Sequence, residues 1–561
     1  MKKSYIIVAL LVLVALSGCE DSFLNRDDQT KITPSTFWKS QNDAYLALNG
    51  CYGVSIENWK YTYDDAASDN CYAQYSWESS STNIGAGNIL PTTVNRGYIS
   101  RYVAIRQYNF FLDNVGETPM DAALMARYVA EVKFLRALTY FELARNFGPV
   151  PLLKELYTTP AEAGITPTAE VDVIAFVISE LASAATALPN SYTGGSNNET
   201  GRATKGAALA LKSRVELHYG KYADAAASAQ QVMGLGYQLF RVATLTAADT
   251  KDDFSSFVTF ATPADATKFY KGLASYQQQF WSANDNNKEV IFTAQSIALN
   301  KDYSYYTGNG LNTLMLPSNE GGWSSITPTV ELINAYWDKN GNTFTPPPAA
   351  TRATNYNSGT PSAAYYDEFK NRDTRLYASI LFPSAPWSRV ASPYVFKWPG
   401  SGNNTSRTGY NFVKLVDPAT ANKVLDGAQD FPILRYAEVL LNYAEAKNEA
   451  SGPDANIYAA LNDIRDRVGM PAVNETMYNT KDLLRQYIRA ERRVELAGEG
   501  QRMWDIRRWN IAATVMTNIY SISNGLAQTR NWDPKFMKMP YPQSAVDHNA
   551  NLKAAQATKG Y

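Results

Sequence analysis

A mostly α-helical protein is predicted from three features of the 561-residue chain. Before about residue 240 and after about residue 430, long stretches carry apolar residues three and four apart, the spacing of one helix face. Between them that period fades, and Gly, Pro, Asn, Ser and Thr gather in Asp338–Ala364 and Pro399–Thr408. Near the end, Ala490–Asn510 (AERRVELAGEGQRMWDIRRWN) threads Val494, Leu496, Trp504, Ile506 and Trp509 through nine charged residues. A solvated charged helix has no use for two indoles. The expected architecture is an irregular scaffold of paired helices, residues 34–240 and 431–510, with a loop-rich, minor-β region over 241–430 laid on one face.

The chain opens with Lys2 and Lys3, an apolar run Ile6–Leu16, and Leu16-Ser17-Gly18-Cys19, the pattern of a signal peptide over residues 1–18. The run is shorter than the roughly 20 apolar residues a spanning helix needs. Small residues directly before Cys19 resemble a bacterial lipoprotein box, which makes Cys19 the expected lipidated N-terminus of a mature chain 19–561. Glu20 and Asp21 resemble the acidic signal that sends such lipoproteins to the outer surface. Several acyl chains on one residue meet the requirement for stable anchoring, each buried CH₂ contributing about 0.8 kcal/mol.

Pro34–Gly50 reads as a first amphipathic helix. Tyr63–Asn70 (YDDAASDN) is polar and turn-like and leads into a loop-rich stretch, Gln74–Asn95. Ser100–Val115 and Met120–Phe147 form a helix pair, the second with Tyr128, Val132, Leu135 and Leu138 as a core stripe, stopped by Gly148-Pro149. Val171–Ala187 is another helix, followed by a linker-like PNSYTGGSNNETG. Ala203–Tyr219 and Tyr222–Gly234 are helices joined at Gly220-Lys221, where HYGKYADAA resembles the corner of a tetratricopeptide repeat; no strict 34-residue period runs through the chain. In the middle region Glu289–Ala294 and Leu376–Leu381 read as small strands. Helices resume at Phe431–Ala450, Ile457–Val468 and Asp482–Leu496, and Gly498 and Gly500 mark a break between two helices. Around that break Glu491–Glu495 and Arg489–Arg493 are like-signed at i,i+4, whereas Arg492–Glu495 and Arg502–Asp505 are opposite at i,i+3. The like-signed pairs require counter-charges from other helices.

ERRVELAGEGQRMWDIRRW resembles the signature of the SusD/RagB family of surface nutrient-binding lipoproteins. EVKFLRALTYFELARNFGPVPLL (Glu131–Leu153), GRATKGAALALKSRVEL (Gly201–Leu217), FPILRYAEVLLNYAEAKNE (Phe431–Glu449) and the closing Gly560–Tyr561 match in the family's order. The resemblance covers nearly the whole mature chain. It implies a single SusD-like domain with a tetratricopeptide-like scaffold. By length alone, 543 residues hold about three or four domains' worth of chain.

Composition bounds the function classes. With 52 basic and 53 acidic residues and a net charge of −1, no basic footprint points to nucleic acid. After Cys19 only Cys51 and Cys71 remain; export permits a disulfide between them, but sequence does not supply the geometry. His218 and His548 have no identifiable Ser or Cys partner. No dinucleotide loop, phosphate loop, CxxC or HExxH occurs, so no cofactor or metal is expected. Asp27–Asp28, Asp64–Asp65 and Asp252–Asp253 each offer a carboxylate to a glycosidase, which needs two facing acids roughly 5–10 Å apart; adjacent acids are usually solvated instead. Asp338-Lys339-Asn340-Gly341-Asn342 loosely resembles a calcium loop, with its glycine out of place and the bidentate Glu missing.

The resemblance implies a non-enzymatic lid over a SusC-like, TonB-dependent outer-membrane barrel, capturing oligosaccharide for import, with some relatives taking peptides. A surface glycan hydrolase is the rival of another class. Where family members bind glycan, the rings come from loops outside the helical motifs. The candidates here rest on position and chemistry: Trp77 in the first loop excursion, then Trp281, Tyr305, Tyr306 and Trp323 in the middle region.

Overall fold

The computed structural model describes residues 37–55, 58–157, 164–192, 199–303, 307–357, 360–389 and 394–561. The expected signal peptide, Cys19, Glu20–Asp21, Tyr305 and Tyr306 lie outside the described residues.

Helix α1 (Gln41–Gly53) starts at Ser40, whose hydroxyl accepts the Asp43 N–H; residues 34–36, the expected start of the first helix, lie outside the described residues. Helices α2 (Tyr98–Asn114) and α3 (Ala122–Phe147) form a packed pair. Asp121 caps α3, Gly148 in a left-handed φ ends it, and the stripe Tyr128, Val132, Leu135 and Leu138 is buried. Next come α4 (Glu170–Ala187), α5 (Lys205–His218, capped by Thr204) and α6 (Tyr222–Met233). The middle region contributes α7 (Pro263–Gln278), α8 (Leu311–Met315) and α9 (Thr374–Ser379). The last scaffold helices are α10 (Tyr436–Ser451), α11 (Ala455–Arg467), α12 (Lys481–Glu495) and α13 (Arg502–Arg508). Packing runs through α3, α4, α5, α6 and α10 in turn, and α10 also carries α11 and α12. The N- and C-terminal helices therefore share one scaffold, joined where α6 meets α10.

Three elements depart from the sequence reading. The middle region holds a sixteen-residue helix, α7, started by a capping box between Thr262 and Asp265 with Pro263 at its first position. Phe431–Arg435, expected as helix, is a fully buried strand; Pro432 has no N–H to give a helix and biases Phe431 toward extended backbone. Leu376–Leu381, expected as strand, is helical as far as Ser379 because Asp373 caps the Arg375 N–H, and only Ile380–Leu381 pair as strand, with Asn411–Phe412. Phe431–Arg435 pairs antiparallel with Val290–Ala294. Cys51 and Cys71 are separate buried thiols, so the disulfide that export permits is not formed. Among the described residues no helix is long and apolar enough to cross a membrane.

The charged corner is buried and ion-paired. Trp504 and Trp509 are 3% and 9% exposed. Arg145 lies 4.1 Å from the Trp504 ring, and the Trp509 Nε1–H donates to Glu445 at 2.7 Å. Counter-charges for the like-signed pair come from elsewhere: Glu491 meets Arg375 and Arg465, while Glu495 meets Arg375, Arg435 and Arg467. Arg492 pairs with Asp505 at 2.8 Å rather than with Glu495; Arg502 and Arg493 share Asp69; Arg508 forks onto Glu445. Among the described residues Arg507 has no such carboxylate contact. It donates to the Phe536 and Met503 carbonyls and lies over Trp532, and burial pushes its guanidinium down to about 10. Gly500 turns the chain with φ of +76°, and a Cβ there would stand 2.1 Å from the Tyr61 carbonyl oxygen.

Candidate functional site

Strand β1 (Cys71–Ala73) pairs antiparallel with β2 (Ile326–Pro328), Cys71 opposite Pro328 and Ala73 opposite Ile326. The ladder continues through Gln74. Its N–H donates to the Ser325 oxygen at 3.1 Å, and its Nε2 donates to the Trp323 and Ser324 carbonyls at 2.9 Å each. Two loops remote in sequence are thereby held side by side, one carrying Trp77 and the other ending in Trp323. Helix α8 supports the second loop, since the Thr313 carbonyl accepts the Trp323 N–H at 2.7 Å.

Trp77 is 78% exposed. Its ring sits 4.7 Å from that of Tyr75 at an interplanar angle of 32°, and the Tyr75 hydroxyl donates to Asn404 Oδ1 at 2.8 Å. That bond ties in a third loop, the Gly/Asn/Ser-rich stretch before Thr408. Exposed Arg407 lies close enough to oppose the upward push that burial gives the Tyr72 phenol. Beneath the platform, burial pushes the Glu78 carboxyl up, while hydrogen bonds from Tyr63 at 2.6 Å and Ser325 at 3.1 Å act against that. The arrangement offers a paired ring surface flanked by an amide and a guanidinium, suited to a ligand with both C–H faces and hydroxyls.

Trp323 is half-buried against the core. Trp281 is half-buried on another wall: the Arg389 guanidinium lies 4.9 Å from its ring and pairs with Asp249 at 2.7 Å, and the next residue, Ser282, bonds Asp417. The structure thus brings the Trp77 and Trp323 loops together, and sets Trp281 against the Arg389–Asp249 pair. Tyr75, Gln74, Asn404 and Arg407 were not singled out by sequence. Tyr75, a second ring two residues before Trp77 in a polar loop, was the available signal.

The acids weighed for catalysis are occupied structurally. Asp64 pairs with Arg96 at 2.7 Å and accepts the Trp504 Nε1–H. Asp65 accepts the Gly498 and Arg502 N–H groups, and burial pushes it up to about 7. Asp252 accepts the Ser388 N–H, Asp253 caps Ser255, and Asp27–Asp28 lie outside the described residues. His218 is enclosed by Phe141, Tyr219 and Trp504, and burial pulls its pKa down. Nδ1 of His548 lies 2.6 Å from the Ser544 oxygen. Asp338 accepts the Asn340 and Asn342 N–H groups in a turn. Among the described residues no group of three or more His, Cys, Asp or Glu side chains is arranged to hold a metal ion.

Comparison with known proteins is consistent along the chain. A model of the SusD family matches residues 288–561, and a second, described as starch-binding and associating with the outer membrane, matches residues 23–217. The SusD-like protein P25 of Formosa agariphila is 24% identical over the full length of both chains. A SusD-like protein of Bacteroides fragilis superposes with a TM-score of 0.76 at 27% identity, over 94% of this chain and 97% of that one. A SusD-like carbohydrate-binding protein of the same organism gives the same TM-score and identity, over 92% of this chain and all of that one.

Proposed function

The chain belongs to the SusD/RagB family, and from that premise we propose that it captures oligosaccharide at the cell surface and passes it to a SusC-like, TonB-dependent transporter. The observation that carries the binding role is the exposed Trp77 ring tilted against Tyr75, braced by Asn404 and held next to the Trp323 loop. Sugar C–H faces lie on such rings while hydroxyls reach the amide and guanidinium at the edge. Starch binding with outer-membrane association in the matched family model, and carbohydrate binding in the name of a B. fragilis relative, support the same ligand class. Recognition alone is needed, and no bond is broken. Trp281, Tyr305 and Tyr306 remain proposed contacts of a longer ligand.

Native gels containing soluble starch or laminarin test the reading. Retardation of the wild type, lost in Trp77→Ala with an unchanged melting temperature, is expected. Release of new reducing ends would make the protein a hydrolase, and binding of peptides but neither glycan would change the ligand class. Cys19 as the lipid anchor is tested separately: Cys19→Ala should leave a precursor or a protein released from membranes, whereas unchanged membrane attachment rules the anchor out.

A further inference from the structure

A second opening lies across α8 from the Trp77 platform. It is a cleft of about 400 Å³ between the end of α1, the start of the turn of helix at Trp59 and the strand Val290–Ala294. Its rings are Trp59, Tyr52 and Phe292, and its polar lining includes Asn58, Gln295, Ser296 and Thr307. Among the described residues, no Asp, Glu, Lys or Arg lines it. The contrast is with a cleft of about 430 Å³ elsewhere, which Lys268, Lys339 and Asp265 line.

Position links the neutral cleft to the platform. The Trp59 ring edge packs on Gly310, directly before α8, so closely that a Cβ there would stand 2.9 Å from it. The Trp323 N–H is held by Thr313 of the same five-residue helix. The volume falls within the roughly 300–1,000 Å³ of small-ligand sites. A charged ligand entering would shed water and meet no charged side chain among the described lining residues. A purely apolar one would cover the Asn58 amide without giving it a partner. Asn58 Oδ1 caps the Lys60 N–H at 2.8 Å, and among the described residues no hydrogen bond takes up its NH₂.

We infer that the Trp59 cleft is a second subsite for an uncharged saccharide, so that a long neutral glycan spans α8 with one part on Trp77 and another beside Trp59. The inference rests on the oligosaccharide reading above and adds chain length and charge to it. A short sugar occupies the platform alone, and a longer one gains the cleft.

Calorimetry with maltotriose, maltoheptaose, laminaritriose and laminariheptaose tests this, using the series whose polymer retards the wild type. Trp77→Ala should weaken both lengths. Trp59→Ala should weaken the heptaose about tenfold, the loss of one stacked ring, and leave the triose unchanged. Because Trp59 also packs on Gly310, Asn58→Asp provides a second variant: its carboxylate still caps Lys60 but puts a charge in the cleft, and it should lose the same length advantage with an unchanged melting temperature. Wild-type heptaose affinity in both variants overturns the cleft and leaves the platform standing. Retardation of the wild type by neither polymer overturns both.

Discussion

The α12–α13 corner and the Trp77 platform use the same kinds of side chain to opposite ends. Both combine indoles, arginines and amides. In the corner, Trp504 and Trp509 are covered by Arg145, Arg489 and Arg508, and Glu445 takes the Trp509 N–H. On the platform, Trp77 has one ring beside it and water over the rest. The difference lies in whether the protein covers the ring or leaves it exposed. A cation over an indole is therefore no guide to function until burial is known; Arg389 over half-buried Trp281 lies between the two cases.

If the corner is structural, breaking it gives the largest effect. Glu495 is fully buried and meets Arg375, Arg435 and Arg467, so Glu495→Ala takes one carboxylate from three buried guanidinium groups at once, leaving them to Asp373, Glu491, Glu289 and Glu499. Removing one partner of a buried pair costs about 3–5 kcal/mol, and a fall in folded yield or melting temperature is expected from thermal unfolding. Arg502→Ala, which leaves Asp69 with Arg493 alone, should follow in the same direction with a smaller effect. Normal stability with abolished glycan binding in either variant would make the corner a binding site.

Acid separates the two regions next. Burial alone would raise the Glu445 carboxyl, but Arg508, Arg492 and the Trp509 N–H together bring it down to about 2. A folded pKa below the ordinary 4.5 means stability that is present above that pH and lost as pH falls toward 2. Asp65 works the other way. Held up to about 7, it contributes stability below its ordinary 3.8 that is lost as pH rises to 7. Urea midpoints should therefore drop steeply below about pH 4, and Glu445→Gln, less stable at neutral pH, should flatten that drop. An unchanged acid slope in the variant would show that Glu445 is not what the corner loses.

Much of the scaffold was legible because it repeats a local rule. The stripe in α3, the Gly148-Pro149 stop and the glycine break at Gly498–Gly500 are short-range signals, and the structure places each within a few residues of its expected position. Counter-charges for Glu491 and Glu495 were legible as a need, but their suppliers were not, since Arg375, Arg435, Arg465 and Arg467 arrive from three other elements. The strand Phe431–Arg435 was hidden for the same reason: its partner, Val290–Ala294, lies well over a hundred residues away. For the candidate site, the exposed loop and Trp77 were readable from polar neighbours. Gln74's bonds to Trp323 and Ser324, and Tyr75's bond to Asn404, span sequence separations that no local pattern reports.

The platform's own geometry gives a smaller effect. Tyr75→Phe keeps the ring beside Trp77 and removes only the hydroxyl that holds Asn404. A hydrogen bond of this kind contributes about 0.5–1.5 kcal/mol, so calorimetry should show a loss of glycan affinity well below that of Trp77→Ala, with melting temperature nearly unchanged. A Tyr75→Phe loss as large as that of Trp77→Ala would mean the hydroxyl itself meets the ligand.

The smallest expected effect is that of salt on binding. A neutral sugar lying on Trp77 and Tyr75 buries apolar area and exchanges hydrogen bonds, with no net charge brought together. Exposed Arg407 lies near Tyr72, and toward a neutral hydroxyl it acts as a hydrogen-bond donor, whose short-range contact salt screens little. The Debye length falls from about 10 Å at 0.1 M to about 3 Å at 1 M, which would strip most of the attraction from a ligand held by charge. Titrations of the same glycan at those two ionic strengths should give nearly one Kd. A Kd that rises steeply with salt would identify an acidic ligand and move recognition from the Trp77 ring to Arg407.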